Sequence, residues 1–398
     1  MVVRTAFEEM RMPWCKSKTW FLSIGIAWLY ITPHVSAQAQ INSPAAQAAL
    51  MDFETREILF CKVCDEQMSP SSMTKLMTVE LVFQRLKDGR FSLADTLPVS
   101  ERAWRRGLTN NESKMWVELG SQISVDNLLK GIIVSSGGDA CIVVAEAFGG
   151  TEEAFAEMMS NRARELGLSN SHYMNSHGLS EQDHYMSARD IATLSAHLMR
   201  EYPEYYHYFS IPEFTWSGIR QGNRNQLIFR NGGVDGLKTG HTDAGGYGIV
   251  VSAERDGRRL ISSVNGLASE AERNAEAVRL LDIGYREFRP YELFTVNEIV
   301  AELNVWGGAQ DVVPAIVLQP LQTILSPHTR AQMQVTVSYD GPLEAPIQAG
   351  QEIGMLTISA PSKPDVSVPL IASKDVAPAG IFKNMYLGLS ALVGDSGQ

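Results

Sequence analysis

Apolar and polar positions follow three different rhythms along this chain. From Ala46 to Phe53 the residues are apolar or small, Glu54-Thr55-Arg56-Glu57 forms a polar turn, and Ile58-Leu59-Phe60 follows, which predicts two strands. From Ser72 the spacing becomes helical, with Leu76, Met77, Val79, Leu81, Val82 and Leu86 at steps of three and four. Residues 99–200 read as mostly helical, including Val125–Val134, Asp139–Phe148 and Glu152–Leu166. Strands return at Tyr247–Ala253 and Leu260–Val264, joined by the turn Arg255-Asp256-Gly257-Arg258. A helix rich in Ala, Glu and Arg then runs from about Glu270 to Phe288. This order predicts a mixed α/β (α+β) fold, a sheet flanked by helices with a helical insert.

Past Pro290 the rhythm changes again. Residues 293–372 hold short alternating segments, such as Ile299-Val300-Ala301-Glu302-Leu303 and Met333-Gln334-Val335-Thr336-Val337, broken by Gly and Pro. A small all-β domain is expected there. Pro378 ends it, and in the segment that follows Phe382, Met385, Tyr386, Leu389 and Val393 fall on one helical face. Such a tail is expected to lie on a membrane surface, although Lys383 is its one positive charge.

The N-terminus reads as an export leader. Arg11, Lys16 and Lys18 precede an apolar run from Trp20 to Ile31, and Val35-Ser36-Ala37 supplies a cleavage site. A run of twelve residues is short for a bilayer span, which needs about 20. The organisation expected is therefore a leader at 1–37, a main domain at 38–290, a β domain at 293–376 and an amphipathic tail at 379–394. Formal charge is −11; the leader's four basic and two acidic side chains carry +2, which leaves −13 without it. An anionic body with no basic stripe argues against nucleic acid as a partner. Cys15 leaves with the leader. Cys61-Lys62-Val63-Cys64 is a weak signal, with neither a second pair nor histidines nearby to complete a metal site, and a local disulfide is open to it in an oxidising compartment.

Three short elements carry the candidate chemistry. In Ser72-Met73-Thr74-Lys75 the i and i+3 side chains share one helix face, so a neutral Lys75 amine can take the Ser72 hydroxyl proton. A helix start at Ser72 also aims free N–H groups at a developing oxyanion. Taken alone the pattern arises by chance about once in a chain this long. Lys238-Thr239-Gly240 is rarer. On an edge strand it sets a cation over a cleft, offers the Thr239 hydroxyl to a carboxylate, and lets backbone approach substrate at Gly240. The Lys238 charge also disfavours a proton on Lys75. Between them Ser135-Ser136-Gly137-Gly138-Asp139-Ala140 opens a helix that Asp139 can cap.

Together these elements resemble the low-molecular-mass penicillin-binding proteins, the serine D-alanyl-D-alanine carboxypeptidase family. The resemblance extends to Asn175-Ser176-His177-Gly178-Leu179, Asn223-Arg224-Asn225, Val234-Asp235-Gly236 and Lys238 through Asp243. It implies a β-lactamase/transpeptidase-like antiparallel sheet with a helical subdomain, followed by the β domain. It further implies Ser72 as acylated nucleophile, Lys75 as general base and Ser136 as proton relay. Lys238, Thr239, Gly240 and His241 would form the substrate side, with the N–H groups of Ser72 and His241 as oxyanion hole and Arg273 meeting the terminal carboxylate. Arg224 reads as structural, and His177 and His184 as holding local backbone. No cofactor or metal is implied. The partners implied are peptidoglycan stem peptides, β-lactams as covalent inhibitors and, through the tail, a membrane surface, in the periplasm. One position departs from the pattern. Gly138 stands where the family carries an asparagine, which leaves a weakly active or non-catalytic peptidoglycan-binding scaffold as a rival reading; a class A-like β-lactamase, which shares the first and third motifs, is the other.

Overall fold

The structure, a computed structural model, describes residues 41–109, 112–361, 363 and 365–380. The expected leader and amphipathic tail lie outside them. Among the described residues no helix is long and apolar enough to cross a membrane.

The described chain divides into two units at Phe288/Arg289. The first is built on an antiparallel sheet of five strands: β1 (Gln47–Asp52), β2 (Ile58–Lys62) and three later strands, β7 (Val234–Thr242), β8 (Gly246–Arg255) and β9 (Arg258–Leu267). Their order is β2-β1-β9-β8-β7, so the strand carrying Lys238 is an edge strand. Period-two alternation lets the sheet serve two layers. Leu50 and Leu260 reach the helix α7 (Glu270–Glu287), whose Gly284 leaves room for them. Ala49, Met51 and Ile261 join the helical core on the other face.

That core holds α1 (Lys75–Lys87), α2 (Glu101–Gly107), α3 (Val125–Ile133), α4 (Gly138–Gly149), α5 (Glu152–Glu165) and α6 (Ala188–Glu201). Serine or threonine caps fix several starts: Ser100, Ser124, Thr151, Ser187 and Ser269 each accept from the N–H three residues on. The stripe expected on the Ser72 helix proves too narrow a description, because α1 is buried nearly all round. Its polar residues are bonded inside: Thr78 Oγ1 donates to the Ser176 carbonyl (2.6 Å), and Glu80 Oε1 accepts from Arg162 (2.9 Å) and Tyr202 Oη (3.0 Å).

Three features depart from the pattern read in the sequence. The stretch 99–200 is interrupted by β4 (Gln122–Ser124), which forms a ribbon with the preceding β3 (Thr96–Pro98), and by a helix-free segment from Leu166 to Ser187 rich in Gly, Asn and Ser. A second hairpin, β5 (Glu213–Trp216) with β6 (Ile219–Gly222), turns at Ser217-Gly218, both at positive φ. Finally, α1 begins at Lys75 rather than at Ser72, because Ser71 takes φ +50° and opens a single 3-10 turn over Ser71–Thr74.

The second unit runs from Arg289. It pairs β10 (Arg289–Phe294) with β13 (Leu321–Leu325), and sets six further strands in the order β14-β16-β17-β12-β11-β15. These are β11 (Ile299–Trp306), β12 (Val312–Ile316), β14 (Gln334–Ser338), β15 (Leu343–Glu344), β16 (Glu352–Ser359) and β17 (Val366–Ala372). Leu303, Val313, Ala315, Leu356 and Leu370 form its core.

Candidate active site

The 3-10 turn brings Ser72 and Lys75 onto one face, and the Lys75 Nζ stands 2.8 Å from Ser72 Oγ. Nζ also donates to the backbone oxygen of His177 at 2.5 Å. The segment supplying that oxygen is held by Asn175, whose Oδ1 accepts the N–H groups of His177 (3.3 Å) and Gly178 (2.7 Å). Residue 178 must be glycine. Its φ is +91°, and a Cβ there would fall 1.9 Å from the Ser71 carbonyl oxygen. Backbone against backbone, the 177 loop therefore clamps the turn that carries Ser72.

Ser136 sits just before α4 with φ +58°, a conformation costly for a non-glycine residue and frequent at functional sites. Asp139 explains how the segment is held. The expected cap role is corrected, because the cap position of α4 is Gly137 and has no side-chain cap bond; the Asp139 carboxylate instead accepts N–H groups from Met115 (2.8 Å), Trp116 (2.8 Å), Val117 (3.2 Å) and Ala140 (2.9 Å). Lys238 Nζ donates to Ser136 Oγ at 2.9 Å and to the Thr239 carbonyl at 3.2 Å. Lys238 is thus buried beneath the cleft surface and reaches it through Ser136, rather than standing over the cleft as expected.

Burial dominates the electrostatics. It pushes the Lys75 amine below the ordinary lysine value; the Arg106 guanidinium adds to this, while Cys141, Glu112 and Asp139 oppose it. Lys238 is expected from the sequence to disfavour a proton on Lys75, but loss of water is the leading cause of the shift. Lys238 is itself pushed well down, by burial first and by Lys75 next. Burial and the Lys75 cation hold His177 at about 2. His177 Nδ1 accepts from the Leu179 N–H (3.2 Å), and Nε2 lies 3.2 Å from Arg106 NH2 and 3.3 Å from Glu152 Oε1.

Ser72, Lys75, Ser136, Thr239, Gly240, His241 and Arg273 converge on one cleft of about 980 Å³. Gly240 does more than face that space. A Cβ would meet the Pro70 carbonyl oxygen at 2.9 Å, so its bareness first of all seats β7 against the Ser72 turn. Thr242 Oγ1 reinforces the seam, 2.9 Å from Ser71 Oγ. The His241 ring stacks on Tyr247 with centroids 3.9 Å apart. Arg273 is only 2% exposed; Nε donates to Asn274 Oδ1 (3.1 Å), NH1 lies 3.7 Å from Glu270 Oε1, and among the described residues NH2 has no hydrogen-bond partner. A buried, partly unpaired guanidinium at the cleft is a place prepared for an anion. Arg224, read as structural, also lines the cleft while donating to Gln221 Oε1 (3.1 Å).

Sequence reasoning missed Glu112, Arg106 and Glu152. Arg106 NH2 lies 2.7 Å from Glu112 Oε1. Glu152 Oε1 accepts from Ser176 Oγ (2.7 Å) and N–H (3.2 Å), and Oε2 meets Arg102 (2.9 Å). No spacing pointed to them, since each meets its partner only after the helices pack. Cys61 and Cys64, whose pairing was open, form a disulfide at the end of β2.

Known proteins resemble the chain in both sequence and fold. The D-alanyl-D-alanine carboxypeptidase family (Peptidase_S11) matches residues 33–268, and the penicillin-binding protein 5 C-terminal domain matches 288–378. The D-alanyl-D-alanine carboxypeptidase DacA of Haemophilus influenzae is 34% identical over 359 residues, 89% of this chain and 88% of that protein. DacA of Escherichia coli K12 is 32% identical over 354 residues, covering 88% and 86%. Among solved structures, penicillin binding protein 5 from Haemophilus influenzae superposes with a TM-score of 0.69 at 33% identity, over 85% of this chain and 99% of that one. DacD from Francisella tularensis gives 0.75 at 29% identity, over 85% and 95%. With both sequence segments and the fold matched, the chain belongs to the D-alanyl-D-alanine carboxypeptidase family of penicillin-binding serine peptidases.

Proposed function

We propose that this protein removes the terminal D-alanine from peptidoglycan stem peptides through an acyl-serine intermediate on Ser72. The observation that carries this reading is the 2.8 Å approach to Ser72 Oγ of a Lys75 amine whose proton affinity is lowered by burial. The Ser72 hydroxyl gives its proton to neutral Lys75 as Oγ attacks the carbonyl carbon between the two D-alanines. N–H groups of Ser72 and His241 hold the oxyanion. As the C–N bond breaks, the proton passes through Ser136 to the departing amine nitrogen. Water then attacks the acyl-serine ester, giving its proton to Lys75, and Ser72 is regenerated.

Arg273, Thr239 and the field of Lys238 receive the substrate's terminal carboxylate. A carboxylate arriving there supplies the anion that the two buried lysines lack. β-Lactams, which carry a carboxylate beside a reactive amide, enter by the same route and acylate Ser72. The leader expected at 1–37 puts this chemistry in the periplasm, and the tail expected at 379–394 holds the protein at a membrane surface. Incubation with penicillin followed by intact-mass measurement, beside D-alanine release from a D-Ala-D-Ala pentapeptide, tests the reading. Wild type gains one covalent adduct and releases D-alanine, and Ser72→Ala does neither. An adduct that survives Ser72→Ala would refute the assignment.

A further inference from the structure

Residue 138 opens α4 with no side chain, and the room this leaves is taken. A Cβ built there would come 3.2 Å from Glu112 Oε2. The approach is fixed by the backbone, because the Gly138 N–H donates to the Ser113 carbonyl at 3.0 Å. The carboxylate is held from the other side by Arg106, 2.7 Å from Oε1, and the two side chains are 16% and 23% exposed. Arg106 Nε has no hydrogen-bond partner among the described residues, and its NH2 also lies 3.2 Å from His177 Nε2, so Glu112 and His177 share that half-buried guanidinium. Glu112 also lines the same cleft as Ser72, Lys75 and Ser136.

We propose that Glu112 is the positioning residue that fills the cleft wall left bare by Gly138, clamped by Arg106 and acting on the reaction through Lys75. Glycine at 138 and glutamate at 112 are then one device, since a Cβ at 138 would crowd the carboxylate at 3.2 Å and make it give way. This deepens the reading of Ser72 as an acylated nucleophile and rests on it. The groups coupled electrostatically to Lys75 are Arg106 from α2, Glu112, His177 and His184 from the loops, Asp139 and Cys141 from α4, and Lys238 from β7. Of these, His177 stays neutral, and Glu112 favours the protonated amine. Removing its charge must therefore lower the pH at which Lys75 loses its proton.

The test is the rate of acylation by penicillin against pH for the full chain and four variants. Glu112→Gln keeps the volume and an oxygen for Arg106 but removes the charge. Its acid limb is expected to move down by about half a pH unit or more. Gly138→Asn is expected to acylate about tenfold slower, and most of that loss is expected to disappear when Glu112→Ala is made with it. Glu112→Ala alone completes the cycle, and thermal melts exclude any variant that fails to fold. An unchanged limb in Glu112→Gln, or the same cost of Gly138→Asn with and without Glu112, overturns the proposal. A wild type that takes no label fails earlier, and that failure belongs to the acyl-serine reading.

Discussion

At position 75 an amine lies in a place where water cannot solvate its charge. Burial lowers its proton affinity, and the His177 carbonyl at 2.5 Å and Ser72 Oγ at 2.8 Å fix its direction. Lys75→Met should cut acylation about 10²- to 10⁴-fold, the range for losing a general base, with the fold retained by thermal melt. Arg273→Ala should lower kcat/KM for D-Ala-D-Ala peptides about ten- to a hundredfold, since a charge-assisted contact to the carboxylate disappears. Both histidines behind the site stay neutral, His177 held at about 2 and His184 at about 4. Unfolding lets each bind a proton near pH 6.5, so stability should fall as pH drops from about 6.5 toward 4. Melting temperature measured across that range checks the sign, and His184→Gln should flatten the slope. Ser72, Lys75 and Lys238 were legible in the sequence because each sits in a short spacing pattern. The depth of Lys238 was not, because burial is a property of packing.

The elements show why the site is stiff. Gly178 and Gly240 bring the 177 loop and β7 into backbone contact with one 3-10 turn. Gly178→Ala forces a Cβ into the Ser71 carbonyl and should cost about 2 kcal/mol or more, read from the melting transition. Asp139 joins the 115–117 loop to α4 through four N–H groups, so its replacement by alanine should cost about 3 kcal/mol or more. By contrast the Cys61–Cys64 disulfide closes only a short loop, worth about 2 kcal/mol at most, and Cys61→Ser with Cys64→Ser should leave the acylation rate unchanged. The long helices and the β8–β9 hairpin were readable from period and turn chemistry. The Asp256-Gly257 turn takes positive φ at both residues, as that sequence favours. The β3–β4 ribbon and the β5–β6 hairpin were not readable, because strands of three or four residues carry too few alternations to register against their neighbours.

Across the whole molecule, the cleft draws its side chains from Ser72 to Arg273, all within Ile41–Phe288. The second unit, from Arg289, contributes none of the residues on which the chemistry is argued. What was legible at this scale was the change of rhythm after Pro290; what was not is the exchange between Gly138 and Glu112, which involves partners 26 positions apart and no shared motif. The central claim is that a desolvated lysine amine takes the Ser72 proton. The rate of penicillin adduct formation measured from pH 4 to 11 tests it most directly. The account predicts one limb rising with pH, its midpoint below the ordinary lysine value of about 10.4, and a loss of at least about 10²-fold in Lys75→Met. A limb centred at that ordinary value, or a Lys75→Met protein that acylates at the wild-type rate, would contradict it.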